Sequence, residues 1–247
     1  MKAVIQCGGK GTRLRPYTTV LPKPLMPLGT KPVLELLIKW LRRNGVRDIY
    51  ITTGYLGHLI RAFCGDGQQW DVNITYTSEP EPLGTMGALS LLRDKLDGTF
   101  LVLNGDVVTD LSLNSLISHH RLHGAGITVA TVTRNMRVDF GVIEESGFTV
   151  TRFKEKPNLS HLVSMGVYCL EAEMLAHVPT GVPFGFDDLM FRMLELGQPI
   201  KTFLHKGFWL DIGRVEDFQK AQELGCDEDV PPYETAPISF ESVELSR

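Results

Sequence analysis

Gly8, Gly9 and Gly11 place three glycines within four positions, directly behind the mostly apolar run Lys2 to Cys7. Glycine lets backbone N–H groups come close to an anion, and successive N–H groups in such a turn can cradle phosphate oxygens. The neighbouring residues add a hydroxyl at Thr12, a planar fork of donors at Arg13, and more positive charge at Arg15 and Lys23. Arg suits bidentate contact with phosphate, whereas Lys acts as a mobile point charge. An ordinary glycine turn with solvated cations has the same composition, so the loop alone points to phosphate without requiring it. Two phosphate motifs do not fit. The P-loop pattern GxxxxGK[ST] is absent, and a dinucleotide fingerprint would lead promptly into a helix. Here Pro16, Pro22, Pro24 and Pro27 keep the chain extended or turning.

Two aspartates form the second candidate group. Asp106 ends the turn Asn104-Gly105-Asp106 after an apolar run, so its carboxylate can project into a crevice. Asp211 follows the short run Phe208-Trp209-Leu210. Paired carboxylates suit Mg²⁺, a hard cation that keeps several waters and bridges substrate phosphates. Asp106 capping its turn and Asp211 capping a final helix is the purely structural alternative.

The elements that must position these residues follow from periodicity. Lys2 to Cys7 reads as a strand, and residues 8 to 31 as a long irregular loop. Pro32 can open a helix over Val33 to Leu41, and Gly45 can close it. Strands are expected over Val46 to Thr53, Val72 to Tyr76, Thr99 to Leu103 and Ile127 to Thr133. Helices are expected over Leu56 to Phe63, Gly87 to Leu96 and Leu113 to Leu122. Such alternation predicts a mostly parallel sheet covered on both faces, with ligands beyond the C-terminal strand ends. Both the glycine loop and Asp106 fall in that position.

The pattern then changes. A hairpin is expected over Phe140 to Glu144 and Thr149 to Lys154, followed by a strand at Met165 to Leu170. A helix is expected over Asp187 to Leu196, short strands at Ile200 to Leu204 and Gly207 to Leu210, and a closing helix at Val215 to Leu224. This second half reads as a smaller β-rich lobe built onto the first, with no polar linker between them. Residues 227 to 247 read as an acidic, proline-bearing tail.

Composition narrows the class. The 247 residues, 43% of them hydrophobic, suffice for one large α/β domain or two small ones. A formal net charge of −4 gives no general attraction to nucleic acid or acidic lipid. No run reaches the ~18 apolar residues of a membrane span, and the start does not read as a signal peptide. A cytoplasmic location is the default expectation. Cys7, Cys64, Cys169 and Cys226 form no CxxC pair and are expected to be reduced and mostly buried. His119, His120 and His123 share one predicted helix without an acidic partner set, so they are expected at a surface or interface.

The stretches GGKGTRLRPYT (8–18), PKPLMPLGTKPVLE (22–35), EPLGTMGAL (81–89), NGD (104–106), FGVI (140–143), FKEKP (153–157), GVY (166–168) and WLDIG (209–213) occur in one order along nearly the whole chain. In that ordered set the sequence resembles the sugar-phosphate nucleotidyltransferases, or nucleoside-diphosphate-sugar pyrophosphorylases. The resemblance implies an α/β fold with a Rossmann-like, mostly parallel mixed sheet flanked by helices, of the nucleotide-diphospho-sugar transferase type, and a smaller sugar-binding lobe. It implies one domain over 1–226, with nucleotide handled by residues 1–135 and sugar by residues 136–226. The implied activity joins a sugar 1-phosphate to a nucleoside triphosphate and releases pyrophosphate.

Residue roles are carried over position by position. Asp106 and Asp211 share Mg²⁺, and Arg13 and Lys23 complete the catalytic set. Gly8, Gly9, Gly11, Thr12, Arg13, Lys23, Glu81 and Gly84 meet the nucleotide. Gly141, Glu155, Lys156 and Ser164 meet the sugar phosphate. Ser164-Met165-Gly166 departs from the usual Asn-Ala-Gly, which leaves that sugar contact open, and Cys7 replaces a common alanine. The segment Glu81 to Leu89 looks most like mannose and heptose 1-phosphate guanylyltransferases, so GTP with a manno-configured sugar is the expected pair. Glucose 1-phosphate with dTTP, UTP or CTP is the alternative, and a non-catalytic regulatory subunit of the same fold is another. No nucleic acid or membrane partner is expected. A fused hexapeptide-repeat domain is not expected, and a homodimer is compatible with a sequence that fixes no interface.

Overall fold

The run Ala3-Val4-Ile5 is apolar at consecutive positions because the strand carrying it is covered on both sides. In the computed structural model, which describes residues 1–79, 81–213 and 218–219, Ala3 and Ile5 join one core layer and Val4 the opposite one. The elements are β1 (Lys2–Cys7), β2 (Pro27–Leu28), β3 (Lys31–Pro32), α1 (Val33–Arg43), β4 (Asp48–Thr53), α2 (Gly57–Cys64), β5 (Asn73–Ser78), α3 (Gly84–Gly87), β6 (Thr99–Asn104), β7 (Val107–Thr109), α4 (Leu113–His123), β8 (Ile127–Arg137), β9 (Val142–Ser146), β10 (Thr149–Lys154), β11 (Asn158–Glu171), α5 (Phe186–Glu195), β12 (Ile200–Leu204) and β13 (Trp209–Asp211). The sequence-predicted closing helix at 215–224, Cys226 and the tail at 227–247 lie outside the described residues, apart from Phe218 and Gln219.

Seven strands form the central sheet in the order β12-β8-β11-β6-β1-β4-β5. Every neighbouring pair is parallel except those made by β11, which runs antiparallel to both β6 and β8. The expected mostly parallel, mixed sheet is therefore present. One face packs on α1, α2 and α4 through Leu34, Leu37, Leu41, Ile60 and Leu116. The other packs on α3, α5 and the segment between α3 and β6 through Met86, Leu89, Leu92, Leu189 and Met193. Helix α1 is 11 residues long and buries Val33, Leu34, Leu37, Ile38, Trp40 and Leu41, a stripe at helical spacing.

Several elements differ from expectation for identifiable reasons. The helix expected over Gly87 to Leu96 is one α turn at Gly84–Gly87 followed by a tighter turn at Ala88–Leu92. Glycines at both ends of α3 give helix formation little support. Strand β11 starts seven residues before the expected Met165, and its first half pairs with the far half of β8. Those halves are exposed, so no burial pattern betrays them in the sequence. His120 is a correction: it is 1% exposed, with its ring nitrogens 2.7 Å from Thr128 Oγ1 and 3.0 Å from Glu171 Oε1. It ties α4 to β8 and β11 from inside. Among the described residues, no helix is long and apolar enough to cross a membrane.

Candidate active site

The loop after β1 is irregular but tightly seated. Gly11 takes a left-handed conformation at φ 58° and opens the turn Thr12–Leu14. A side chain there would be strained, and its Cβ would lie 3.0 Å from the Thr18 methyl. Leu14 is fully buried beneath the turn, and Thr18 donates a 2.9 Å hydrogen bond to the Gly11 carbonyl. A further turn at Lys23–Leu25 is pinned by buried Pro24, Leu25 and Met26. These anchors leave Arg13 and Lys23 facing the same space. A cavity of about 410 Å³ opens there, lined by Gly8, Gly9, Gly11, Thr12, Arg13, Lys23, Gly84 and Asp106, among others. Eight of the residues singled out in the sequence therefore share one cleft at the C-terminal ends of β1, β4 and β6.

The acidic pair is assembled by two three-residue strands, of which β13 overlaps the strand expected at Gly207 to Leu210 and β7 was not expected. β7 pairs antiparallel with β13, setting Val107 opposite Asp211. Ile212 N–H lies 3.4 Å from the Asp106 carbonyl, and Trp209 donates its indole N–H to the Met165 carbonyl at 2.9 Å. Asp106 and Asp211 are thereby brought together from residues far apart in the chain. Lys23 Nζ sits between them, hydrogen-bonded to Asp106 Oδ2 and 3.7 Å from Asp211 Oδ1. Burial, and then the neighbouring Asp106 charge, hold the Asp211 carboxyl well above the usual carboxylate range, against the pull of Lys23 and Arg13.

Among the described residues, no group of three or more His, Cys, Asp or Glu side chains is placed to hold a metal. The donor set is a pair, and Asp211 Oδ1 is buried without a hydrogen-bond partner. A buried acceptor left unpaired costs about 1–3 kcal/mol, so such an atom marks a place where a hydrogen-bond donor or a closer cation can still be added. Mg²⁺ is commonly held by one or two carboxylates, its other sites filled by water and substrate phosphates. The pair fits that mode. Cys7 lines the same cavity, but burial pushes its thiol well above the ordinary range, which disfavours the reactive thiolate.

Glu79 is a site residue that sequence reasoning missed. It follows β5, lines the cavity, and is held by a 2.9 Å hydrogen bond from Leu83 N–H to Oε2. Its Oε1 covers Gly8 so closely that a Cβ on that glycine would lie 2.1 Å away. Burial raises its carboxyl, opposed by the Leu83 N–H. The readable signal was its position: an acid just past a parallel strand end, as Asp106 is past β6. Gln6 also lines the cavity and donates from Nε2 to the Thr85 carbonyl.

The remaining candidates lie elsewhere. Glu81 is exposed and does not line the cavity, whereas Gly84, at φ 73°, does. Gly141, Glu155 and Lys156 are exposed near β9 and β10. A Cβ at Gly141 would lie 2.6 Å from the Phe153 ring, and Lys156 Nζ is 4.0 Å from Glu155 Oε1. Ser164 Oγ hydrogen-bonds to the Tyr168 hydroxyl at 3.1 Å and accepts from Gly166 N–H at 3.2 Å. Asp211 lines a second cavity of about 300 Å³ with Arg134 and Trp209. The acidic pair thus stands between two spaces.

Gly105 sets the height of Asp106. Its N–H donates to the Gln6 carbonyl at 3.0 Å, and a Cβ would lie 2.8 Å from Cys7 Sγ and 2.9 Å from that carbonyl. Backbone cannot yield as a flexible side chain does. Gly105→Ala is therefore expected to destabilise by about 1–3 kcal/mol and to move Asp106 away from Lys23. A melting curve and a turnover assay check this; unchanged values in both would show that the turn has room.

The nucleotidyl transferase family profile matches residues 2–228. The chain is 34% identical over 242 residues to a UTP–glucose-1-phosphate uridylyltransferase of Synechocystis, covering 90% of this chain and 62% of that protein. It is 36% identical over 236 residues to mannose-1-phosphate guanylyltransferase 1 of Arabidopsis thaliana, covering 92% and 65%. It thus spans a little under two thirds of these curated relatives. The crystal structure of HddC from Yersinia pseudotuberculosis complexed with GMP-PN matches with a TM-score of 0.72 and 26% identity, over 90% of this chain and 98% of that one. With a glycine-lined cleft, a facing carboxylate pair and a family match over nearly its whole length, the chain belongs to the nucleotidyl transferase family.

Proposed function

We propose that this chain joins a sugar 1-phosphate to a nucleoside triphosphate, releasing pyrophosphate, with GTP and mannose 1-phosphate or a manno-heptose 1-phosphate as its substrates. The observation that carries the reading is that Arg13, Lys23 and Asp106 line the glycine-lined cleft, with Asp211 reached from it by Lys23. A sugar-phosphate oxygen is already an anion, so the attack on the α-phosphorus needs no strong base. The bond from that oxygen to phosphorus forms while the bond to the leaving pyrophosphate breaks. Positioning and charge stabilisation are then the main work of the protein. Asp106 and Asp211 would hold Mg²⁺, which would supply charge neutralisation at the phosphates. Gly8, Gly9, Gly11 and Thr12 turn backbone and hydroxyl donors to the triphosphate, and Arg13 and Lys23 hold its charge. Gly141, Glu155, Lys156 and Ser164 would receive the sugar phosphate.

Glu79 supports guanine as the base. A carboxylate offers only acceptors, which match the adjacent N1–H and N2–H donors of guanine. Uracil and thymine offer one N–H beside acceptor oxygens and would leave one carboxylate oxygen facing an acceptor. The guanylyltransferase relative and the GMP-PN complex of HddC accord with this choice. The uridylyltransferase relative keeps glucose 1-phosphate with a pyrimidine nucleotide as the second reading. A matrix of five nucleoside triphosphates against mannose, heptose and glucose 1-phosphates tests it. GTP with a manno-configured sugar is expected to give the highest kcat/KM; a pyrimidine nucleotide in first place would overturn the base choice. Lys156→Met is expected to raise KM for the sugar phosphate about tenfold or more, since a charge-assisted hydrogen bond is worth about 1.5–3 kcal/mol. An unchanged KM would remove Lys156 from the sugar side.

A further inference from the structure

The two carboxylates of the site face one another, yet neither is left without a cation. The Lys23 ammonium hydrogen-bonds to Asp106 Oδ2 and stands 3.7 Å from Asp211 Oδ1, which accepts no hydrogen bond. Its side chain is 15% exposed, and that of Asp106 is 12% exposed, so water screens the pair weakly. Lys23 is also fixed at its base by a turn whose next residues, Pro24 and Leu25, are buried. Only its four-carbon stem is free to swing, and the glycine-lined cavity it borders lies within the same cleft.

We propose that Lys23 is an internal counter-ion that occupies the divalent-cation position until metal and nucleotide arrive together. This rests on the reading of Asp106 and Asp211 as the metal pair. An ammonium between two carboxylates neutralises part of their repulsion, as a divalent cation would. The two cations cannot share the position, because like charges a few ångströms apart repel strongly where screening is weak. Metal alone must therefore displace Lys23 with nothing to receive it. A metal–triphosphate complex brings the anion to which the displaced ammonium moves. The device favours binding of the metal–nucleotide complex over binding of free metal. It also makes Lys23 act in two places, first on the carboxylates and then on the triphosphate.

The consequence has a sign that a purely phosphate-binding lysine would not give. Lys23→Met should impair turnover but tighten binding of divalent metal in the absence of nucleotide. Titration of the purified chain with Mn²⁺ alone, followed by the loss of the free-ion electron paramagnetic resonance signal, reads this directly. Lys23→Met is expected to lower the Mn²⁺ dissociation constant roughly tenfold, the scale of a removed neighbouring charge in a partly screened site. Lys23→Arg keeps the charge and is expected to bind Mn²⁺ no more tightly than wild type, which separates charge from shape. Circular dichroism of both variants establishes that they fold. If Lys23→Met binds Mn²⁺ with unchanged or weaker affinity, the counter-ion role is overturned. If the Asp106→Asn, Asp211→Asn double variant binds Mn²⁺ as well as wild type, the metal assignment beneath it fails instead.

Discussion

Asp106→Asn and Asp211→Asn are each expected to reduce turnover by about a hundred- to a thousandfold, the range seen when one preorganised charge-stabilising group is removed. Asparagine keeps the shape and one acceptor oxygen of each side chain but removes the charge that a metal needs. Stability should move the other way for Asp211. Its carboxyl is raised by burial and by the charge of Asp106, so its ionised form is disfavoured by the fold. Replacing it with neutral asparagine is expected to leave the melting temperature unchanged or higher. Asp106 is the stronger partner of Lys23, so Asp106→Asn should cost some stability while Asp211 still faces the ammonium. Turnover and calorimetry on the two variants check both directions. Full turnover in either variant would remove that residue from the metal pair.

Glu79→Gln is expected to change which base is accepted. The carboxamide replaces an acceptor with a donor, so it faces the N1–H and N2–H of guanine with one mismatched group. The same donor and acceptor pair complements the N3–H and O4 of uracil or thymine. A bidentate base contact discriminates by about 1–3 kcal/mol, which corresponds to roughly a five- to 150-fold change in selectivity. GTP use should therefore fall by about that factor while UTP or dTTP use holds or rises. The 2.9 Å hydrogen bond from Leu83 N–H to Oε2 should survive if the amide oxygen takes the Oε2 position, so the loop can keep its course. Relative kcat/KM values for GTP and UTP measure the change. Equal losses for both nucleotides would show that Glu79 shapes the pocket without reading the base.

Much of this site could be read before the fold was seen, for physical reasons. The glycine loop, Arg13, Lys23 and Asp106 follow long buried strands, whose apolar runs announce where a parallel sheet ends and a ligand can sit. Asp211 was legible as an acid behind a short run, and the ordered set of short motifs strengthened its pairing with Asp106. Its strand β13 overlaps the expected Gly207 to Leu210, whereas its partner β7 has three residues, too few for periodicity to register. Their pairing is a long-range event, and it is what brings the second carboxylate to the first. The outer halves of β8 and β11 escaped for a different reason. They pair with one another beyond the core, so polar and apolar side chains are mixed there without a buried face to mark them.

Glu79 and His120 show two further limits. Glu79 lies in a polar stretch, Thr77-Ser78-Glu79, where its position past a strand end is the one readable signal and residue type adds none. What identifies it is the turn at Leu83 folding back onto it and the close passage of Gly8 beneath it. His120 shares a helix with His119 and His123, yet it alone of the three turns inward. Its burial depends on Thr128 and Glu171 from other strands, which satisfy both ring nitrogens. No helix-local pattern contains that information.

The most direct test follows the phosphorus resonances of GTP and mannose 1-phosphate with the purified chain and Mg²⁺. Pyrophosphate and a sugar-linked diphosphate should appear in equal amounts. Neither should appear when the sugar phosphate is omitted or when the metal is chelated. Release of phosphate or pyrophosphate from GTP without the sugar phosphate, or equal product formation in the presence of chelator, would contradict metal-dependent nucleotidyl transfer at Asp106 and Asp211.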